Sequence, residues 1–377
     1  MTTATLALED GTILQGQAFG ARSETVFELV FNTSMTGYQE IMTDPSYRGQ
    51  AVVFTVSHIG NVGINQEDYE APVPQLNAAV VRSLSPIVSN WRASETLSVW
   101  LERNGVPGIC EVDTRYLTRK LRSQGTMKAA LSTQEGADPQ QLLAKARAWN
   151  GLDGIDMVKE ASCKEPYVWQ KDAGCNWVPD APDKNKTHIA IFDYGAKRNI
   201  ERWLGSWAEK VTVLPADFNA EDTLKLKPDG IMLSNGPGDP AGLPYAVETV
   251  RKLIDSGVPI FGICLGHQLI GRALGADTCR LKFGHHGGNH PVIHLPSGKI
   301  LITSQNHNFM VDPQTLDPQE VEITHRSLND DTLEGMRLKH KPVFSVQFHP
   351  EAAPGPHDAH HLFREFFQMI SERKGTL

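Results

Sequence analysis

The run Pro259-Ile-Phe-Gly-Ile-Cys-Leu-Gly-His-Gln268 decides the fold. An apolar strand pattern ends at Cys264, and helical spacing follows at once through Leu265, Leu269, Ile270, Ala273 and Leu274. A strand that turns into a helix through Gly-x-Cys-x-Gly is the thiol form of a nucleophile elbow, which holds a reactive side chain on a sharp turn. Gly262 and Gly266 leave the room that such a crossing needs. The start of a helix also favours a thiolate, because unpaired backbone N–H groups and the helix dipole stabilise the anion. A lone cysteine is more often a small buried hydrophobe. Its place in the elbow lifts Cys264 above that reading.

The same strand-then-helix theme extends to either side. Ile189-Ala-Ile-Phe192, Val211-Thr-Val-Leu214 and Gly230-Ile-Met-Leu233 read as short buried strands, and Leu243, Ala246, Val247, Val250, Leu253 and Ile254 recur at helical spacing. Alternating strands and helices predict an α/β domain over residues 187–377, with a mainly parallel sheet covered on both faces. A final amphipathic helix is expected from about Asp358, a plausible N-cap, with Leu362, Phe363, Phe366, Phe367 and Ile370 on one face. Residues 1–152 read differently, as a strand-rich mixed domain. Thr5–Leu8 and Thr12–Leu14 flank an Asp10-Gly11 hairpin turn, Phe27–Phe31 and Gln50–Val56 are strand candidates, and 115–122 and 140–149 are helical. Residues 153–186 form the expected linker. Their stretch from Cys163 has three prolines, scattered charge and no sustained period.

Ligands of open α/β sheets bind beyond the carboxyl ends of the strands. Cys264 is at such an end, as is the loop Ser234-Asn-Gly-Pro-Gly-Asp-Pro240. Gly236 and Gly238 let backbone N–H groups approach a ligand, where with the N–H of Leu265 they could hold a developing oxyanion; an ordinary Gly-Pro turn is the plainer alternative. Ser345-Val-Gln-Phe-His-Pro-Glu351 supplies a His-x-Glu pair at the end of a strand pattern over 345–348. Alternate residues of a strand share a face, so His349 can exchange the thiol proton while Glu351 orients it. Two histidine groups, His285, His286, His290 and His294, and His357, His360 and His361, suggest a metal only weakly. The first lacks regular ligand spacing, and its glycines predict a tight loop.

Composition narrows the function. The chain has 377 residues, 40% apolar and 21% charged, which favours two domains of an ordinary globular protein. A net charge of −8 leaves no electrostatic footprint for nucleic acid. No apolar run is long enough to span a membrane, and the first residues lack a secretory pattern. Five cysteines (Cys110, Cys163, Cys175, Cys264 and Cys279) at irregular spacing, without Cys-x-x-Cys, argue for a reducing cytosol and against a disulfide framework or zinc site.

Cys264, His349 and Glu351, within Gly-Ile-Cys-Leu-Gly-His-Gln and Gln-Phe-His-Pro-Glu, resemble the triad-type (class I) glutamine amidotransferases. Asn235-Gly-Pro-Gly-Asp-Pro240, Phe283-Gly-His-His-Gly-Gly-Asn-His-Pro291, Ser304-Gln-Asn-His307 and Pro350-Glu-Ala-Ala-Pro-Gly-Pro-His357 narrow the resemblance to the small, glutamine-hydrolysing subunits of carbamoyl-phosphate synthetase. Asn32-Thr-Ser-Met-Thr-Gly-Tyr-Gln-Glu40, Thr43-Asp-Pro-Ser-Tyr47, His58-Ile-Gly-Asn61 and Asp113-Thr-Arg115 resemble the amino-terminal domain of those subunits. The resemblance implies a nucleophile in Cys264, an acid/base in His349 and its orienter in Glu351. It implies a glutamine pocket of Ser46, Gly236, Gly238, Leu265, Gln268, Asn306, Asn308 and Phe309. The family usually has glycine where Asn308 stands, and asparagine tolerates positive φ better than most residues.

The resemblance further implies a cytoplasmic heterodimer. Ammonia would pass to a large subunit that uses ATP and Mg with bicarbonate to make carbamoyl phosphate for arginine and pyrimidine biosynthesis. No cofactor or metal is expected in this chain, which has no Gly-x-x-x-x-Gly-Lys-Ser/Thr. A free-standing γ-glutamyl cysteine hydrolase and a non-catalytic regulatory chain remain the alternatives.

Overall fold

The computed structural model describes residues 2–174, 178 and 185–376; Cys175 and most of residues 175–184, within the expected linker, lie outside the described residues. The strands in chain order are β1 (Thr3–Leu8), β2 (Ile13–Gly20), β3 (Glu24–Asn32), β4 (Gln50–Phe54), β5 (His58–Ile59), β6 (Ala78–Val80), β7 (Ser83–Leu84), β8 (Pro107–Cys110), β9 (Met127–Ser132) and β10 (Tyr167–Val168). They continue with β11 (Asn185–Asp193), β12 (Ala208–Pro215), β13 (Gly230–Leu233), β14 (Ile260–Ile263), β15 (Thr278–His294), β16 (Lys299–Val311), β17 (Val321–Ser327), β18 (Leu333–Leu338) and β19 (Val343–Val346). The chain divides into two units, Met1–Asp153 with Lys282–Gly287, and Gly154–Leu281 with Gly288–Leu377.

In the first unit, β1-β2-β8-β6-β4-β3-β9 close into a barrel, which removes exposed sheet edges. The β1–β2 hairpin turns at Asp10-Gly11, where Gly11 has φ 99° and Asp10 Oδ1 accepts the N–H of Thr12. The inner faces of β1, β3, β4 and β9 supply Leu6, Leu29, Ala51 and Leu131 to one apolar cluster, which the helix Thr114–Gln124 covers with Leu117 and Leu121. Lys282–Gly287 joins this unit through backbone bonds from Thr126 N to Lys282 O and from Thr33 N to His286 O, each 3.1 Å.

The second unit is built on a ten-stranded sheet of order β10-β12-β11-β13-β14-β19-β18-β17-β15-β16. The strands from β12 to β19 in that order are parallel, and β18, β17 and β15 extend the sheet antiparallel. Both faces of the parallel part are buried, so its strands read as unbroken apolar runs. Alternate residues then serve two cores. Ala190, Phe192 and Ile260 pack on one side with the helix Pro244–Asp255. Ile189, Ile191 and Phe261 pack on the other with Leu362, Phe363, Phe366, Phe367 and Ile370 of the helix His361–Thr376.

Three local expectations need correction. His285, His286, His290 and His294 do not crowd a tight loop; they lie along the seventeen-residue strand β15. Asp358 does not begin the final helix, which starts at His361, because its carboxylate accepts the N–H of Ile302. The strand expected over 345–348 ends at Val346, so His349 and Glu351 stand beyond the sheet. The stretch from Cys163 also carries β10, whose Tyr167 and Val168 pair with Val213 and Thr212 of β12.

Candidate active site

The elbow has the predicted form. β14 ends at Ile263, the helix Leu265–Ala273 begins next, and Cys264 between them has φ 53° and ψ −102°. Such a conformation is costly for any residue with a Cβ and persists only where its surroundings enforce it. The two glycines meet across the turn. A Cβ on Gly262 would lie 2.9 Å from the Gly266 backbone, and one on Gly266 would lie 2.3 Å from Leu233 O. Gly266 N bonds Ser234 O, which ties the elbow to the end of β13. The helix has no side-chain cap.

Cys264 is buried, and its Sγ donates to Asn306 O at 3.6 Å. His349 is anchored by its own backbone, whose N–H bonds Ser304 O of β16. Its Nδ1 lies 2.6 Å from Glu351 Oε1, and its Nε2 has no hydrogen bond among the described residues. Burial disfavours charge on His349, yet Glu351 and Cys264 outweigh it and push the imidazole up to about 10. Glu351 is driven in the opposite sense. Its burial is overcome by Lys197 and His349, which hold the carboxyl below its usual range.

A second histidine in the elbow behaves differently. His267 is fully buried with Nδ1 2.9 Å from Ser345 Oγ, and burial alone pushes it down to about 3. Burial keeps His267 neutral, whereas His349 has a carboxylate beside it.

Lys197 completes the charged set, although the sequence reading did not single it out. Its Nζ lies 3.1 Å from Glu351 Oε1 and donates to Ala352 O, and both side chains are within 2% of full burial. Asn199 donates to Glu351 O, and Lys197 N bonds Asn235 Oδ1. Lys197 and Asn199 flank the start of the helix Arg198–Trp207, just after β11, so two neighbouring strand ends hold the loop that carries the acid. The signal available was a lysine four residues past a strand end, in Asp193-Tyr-Gly-Ala-Lys197. The loop is strained as well, with Ala352 at φ 57° and Ala353 at φ 53°.

The residues of this unit expected to line a glutamine pocket fall around the same elbow. Gln268 Nε2 donates to Phe309 O at 2.8 Å and to Gln347 Oε1 at 3.1 Å. Gln347, which the sequence reading left without a role, is fully buried, and its Nε2 has no partner among the described residues. Asn306, Asn308 and Phe309 lie on the buried stretch of β16, with Asn306 and Asn308 two apart and Phe309 next in the strand. Asn308 is not among the residues of positive φ, so asparagine is accommodated without left-handed backbone. Gly236 is required for space, because a Cβ there would lie 2.2 Å from Tyr194 O. Gly238 is required for conformation, with φ 90°. Ser46 belongs to the first unit, buried in the turn Pro45–Tyr47, where Asp44 Oδ1 accepts its N–H at 2.9 Å.

A parallel sheet carrying a strained cysteine at one strand end and a His–Glu pair beyond the next defines a class I glutamine amidotransferase domain. The family model described as Glutamine amidotransferase class-I matches residues 190–369, and that described as Carbamoyl-phosphate synthase small chain, CPSase domain, matches residues 6–131. A chloroplastic carbamoyl phosphate synthase small chain of Oryza sativa is 46% identical over 375 residues, covering 99% of this chain and 83% of its own. The carbamoyl phosphate synthase small chain of Escherichia coli K12 is 47% identical over 378 residues, covering 99% of both chains. The chain belongs to the family of carbamoyl phosphate synthase small chains.

Proposed function

We propose that this chain hydrolyses glutamine to glutamate and ammonia and delivers the ammonia to a large chain. That partner would combine it with bicarbonate and ATP, with Mg, to make carbamoyl phosphate for arginine and pyrimidine biosynthesis. The observation that carries the reading is the charge-linked row Cys264, His349, Glu351 and Lys197, buried around a strained elbow. We place the chain in the cytoplasm, as half of a heterodimer.

The chemistry follows from the groups. Glutamine enters with its amino-acid end near Gln268, and Sγ attacks the side-chain amide carbon while His349, as the imidazolium, already holds the proton taken from the thiol. Sγ has to turn from Asn306 O to face the imidazolium and the substrate. The oxyanion is met by backbone N–H groups at Leu265 and the Gly236–Gly238 loop. His349 returns the proton to the leaving nitrogen, ammonia departs, and a γ-glutamyl thioester remains on Sγ. Water then gives a proton to His349 and its oxygen to the thioester carbon, releasing glutamate and restoring the thiol. Glu351 holds one tautomer of His349 throughout, and Lys197 keeps Glu351 ionised.

Glutamate release from glutamine tests the reading, measured on the chain alone and then with a carbamoyl-phosphate synthetase large chain, ATP and bicarbonate. A slow rate that rises sharply in the complete mixture, and is lost in Cys264→Ser, is the expected result. A fast rate indifferent to the partner would identify a free-standing hydrolase instead.

A further inference from the structure

Gln347 is fully buried, one residue past the end of β19. Its Oε1 takes the Nε2 of Gln268 at 3.1 Å, and its own Nε2 has no partner among the described residues. Fold stability does not explain an amide there. Burying a donor without an acceptor is unfavourable, and a leucine or methionine of similar volume carries no such cost. What the Gln347 side chain contributes is its one bond to Gln268.

That bond bears on which way Gln268 points. Gln268 stands one turn after Cys264 at the start of the elbow helix, so the two share a face. Its Nε2 also donates to Phe309 O at 2.8 Å, and His307 Nδ1 lies 2.8 Å from the same carbonyl. A backbone carbonyl only accepts, so the nitrogen of the Gln268 amide faces it and the oxygen is turned away. Both N–H groups are then engaged, one on Phe309 O and one on Gln347 Oε1. Gln268 Oε1 takes no hydrogen bond among the described residues, and it is not sealed from solvent. An amide oxygen so placed accepts from an N–H donor and repels a carboxylate. The last torsion of a glutamine side chain is broad. One bond to Phe309 O leaves the amide plane free to pivot, and the second bond, to Gln347, fixes it.

We propose that Gln347 is a positioning residue: it locks the Gln268 amide with Oε1 toward the substrate, so that the site selects an amide carrying a free α-ammonium over the same amide without one. Resting on the glutamine hydrolysis proposed above, Gln347 acts on specificity through Gln268 and not on the chemistry at Cys264.

The test uses the full chain with the large chain, ATP and bicarbonate. KM for L-glutamine is compared with the inhibition constant of glutaramate, the same amide without the α-amino group, in wild type, Gln347→Met, Gln268→Ala and the double variant. In Gln347→Met, KM for glutamine rises about fivefold to thirtyfold at unchanged kcat, while glutaramate binds within about twofold of its wild-type strength. Tm is little changed. Gln268→Ala removes the group through which Gln347 acts, so adding Gln347→Met to it leaves KM where it is. A merely structural role weakens both ligands alike or lowers Tm markedly, and either result overturns the proposal. So does a further rise in KM when Gln347→Met is added to Gln268→Ala, which would mean that Gln347 reaches the substrate by another route. Wild type that releases no glutamate from glutamine overturns this proposal and the function together. Wild type that does so, with variants that depart from these outcomes, leaves the function standing and removes only the role of Gln347.

Discussion

Replacing Lys197 by methionine strikes the site at its least visible member. Methionine fills similar space but leaves Glu351 buried with only His349 to balance it. Breaking a buried pair by removing one partner costs about 3–5 kcal/mol, because an uncompensated charge stays behind. For a unit of about 200 residues each kcal/mol lowers Tm by about 2–4 °C, so a fall of about 6–20 °C is expected in the melting of the second unit. The loss depends on pH in a stated direction. Glu351 is held below its ordinary 4.5, so its stabilisation is present above that value and disappears as pH falls through about 2. The gap between wild type and Lys197→Met is therefore full at neutral pH and narrows on acidification through that window. Lys197→Met combined with Glu351→Gln removes both charges and recovers much of the stability. A Tm fall under about 3 °C for the single variant, or a gap that widens with acid, would refute the reasoning.

Other outcomes follow from the same geometry. Cys264→Gly and Cys264→Ala both abolish glutamate release, but the glycine variant is more stable by about 1–3 kcal/mol, because only it relieves the φ of 53°; equal melting would mean that the turn is not strained. Glu351→Gln removes the first of the two groups that raise His349 and leaves Cys264 as the other, so its titration, followed by NMR, falls from about 10 toward the ordinary 6.5. In wild type the charged His349 contributes stability that is full below 6.5 and lost as pH rises through about 10, and in the variant this alkaline loss shrinks and begins at lower pH. Gln347→Leu removes an acceptor from Gln268 Nε2 together with an unpartnered buried donor. KM for glutamine is expected to rise about fivefold to thirtyfold with kcat and Tm little changed, as for loss of about 1–2 kcal/mol of binding; a fall in kcat alone would place Gln347 in the chemistry instead.

Much of this protein is legible as local pattern. Buried parallel strands show as apolar runs, the elbow as two glycines around a cysteine, and the His-x-Glu pair as two chemistry-bearing residues two apart. Each is governed by neighbours within a few positions, so the sequence alone determines the α/β class of the second half, the strand-rich character of the first and the place of Cys264 in the elbow. What joins residues far apart in the chain was decided by the tertiary structure. Lys197 meets Glu351 across 154 positions because β11 and the loop after β19 end at the same edge of one sheet. The antiparallel extension through β18 and β17 follows from pairing register, which has no short-range signature. Lys282–Gly287 belongs to the first unit through backbone bonds to Thr33 and Thr126 that no side-chain pattern encodes. Charge state was decided in the same way. His267 and His349 are both buried histidines, and only the second has a carboxylate beside it, so burial drives one neutral while Glu351 keeps the other protonated.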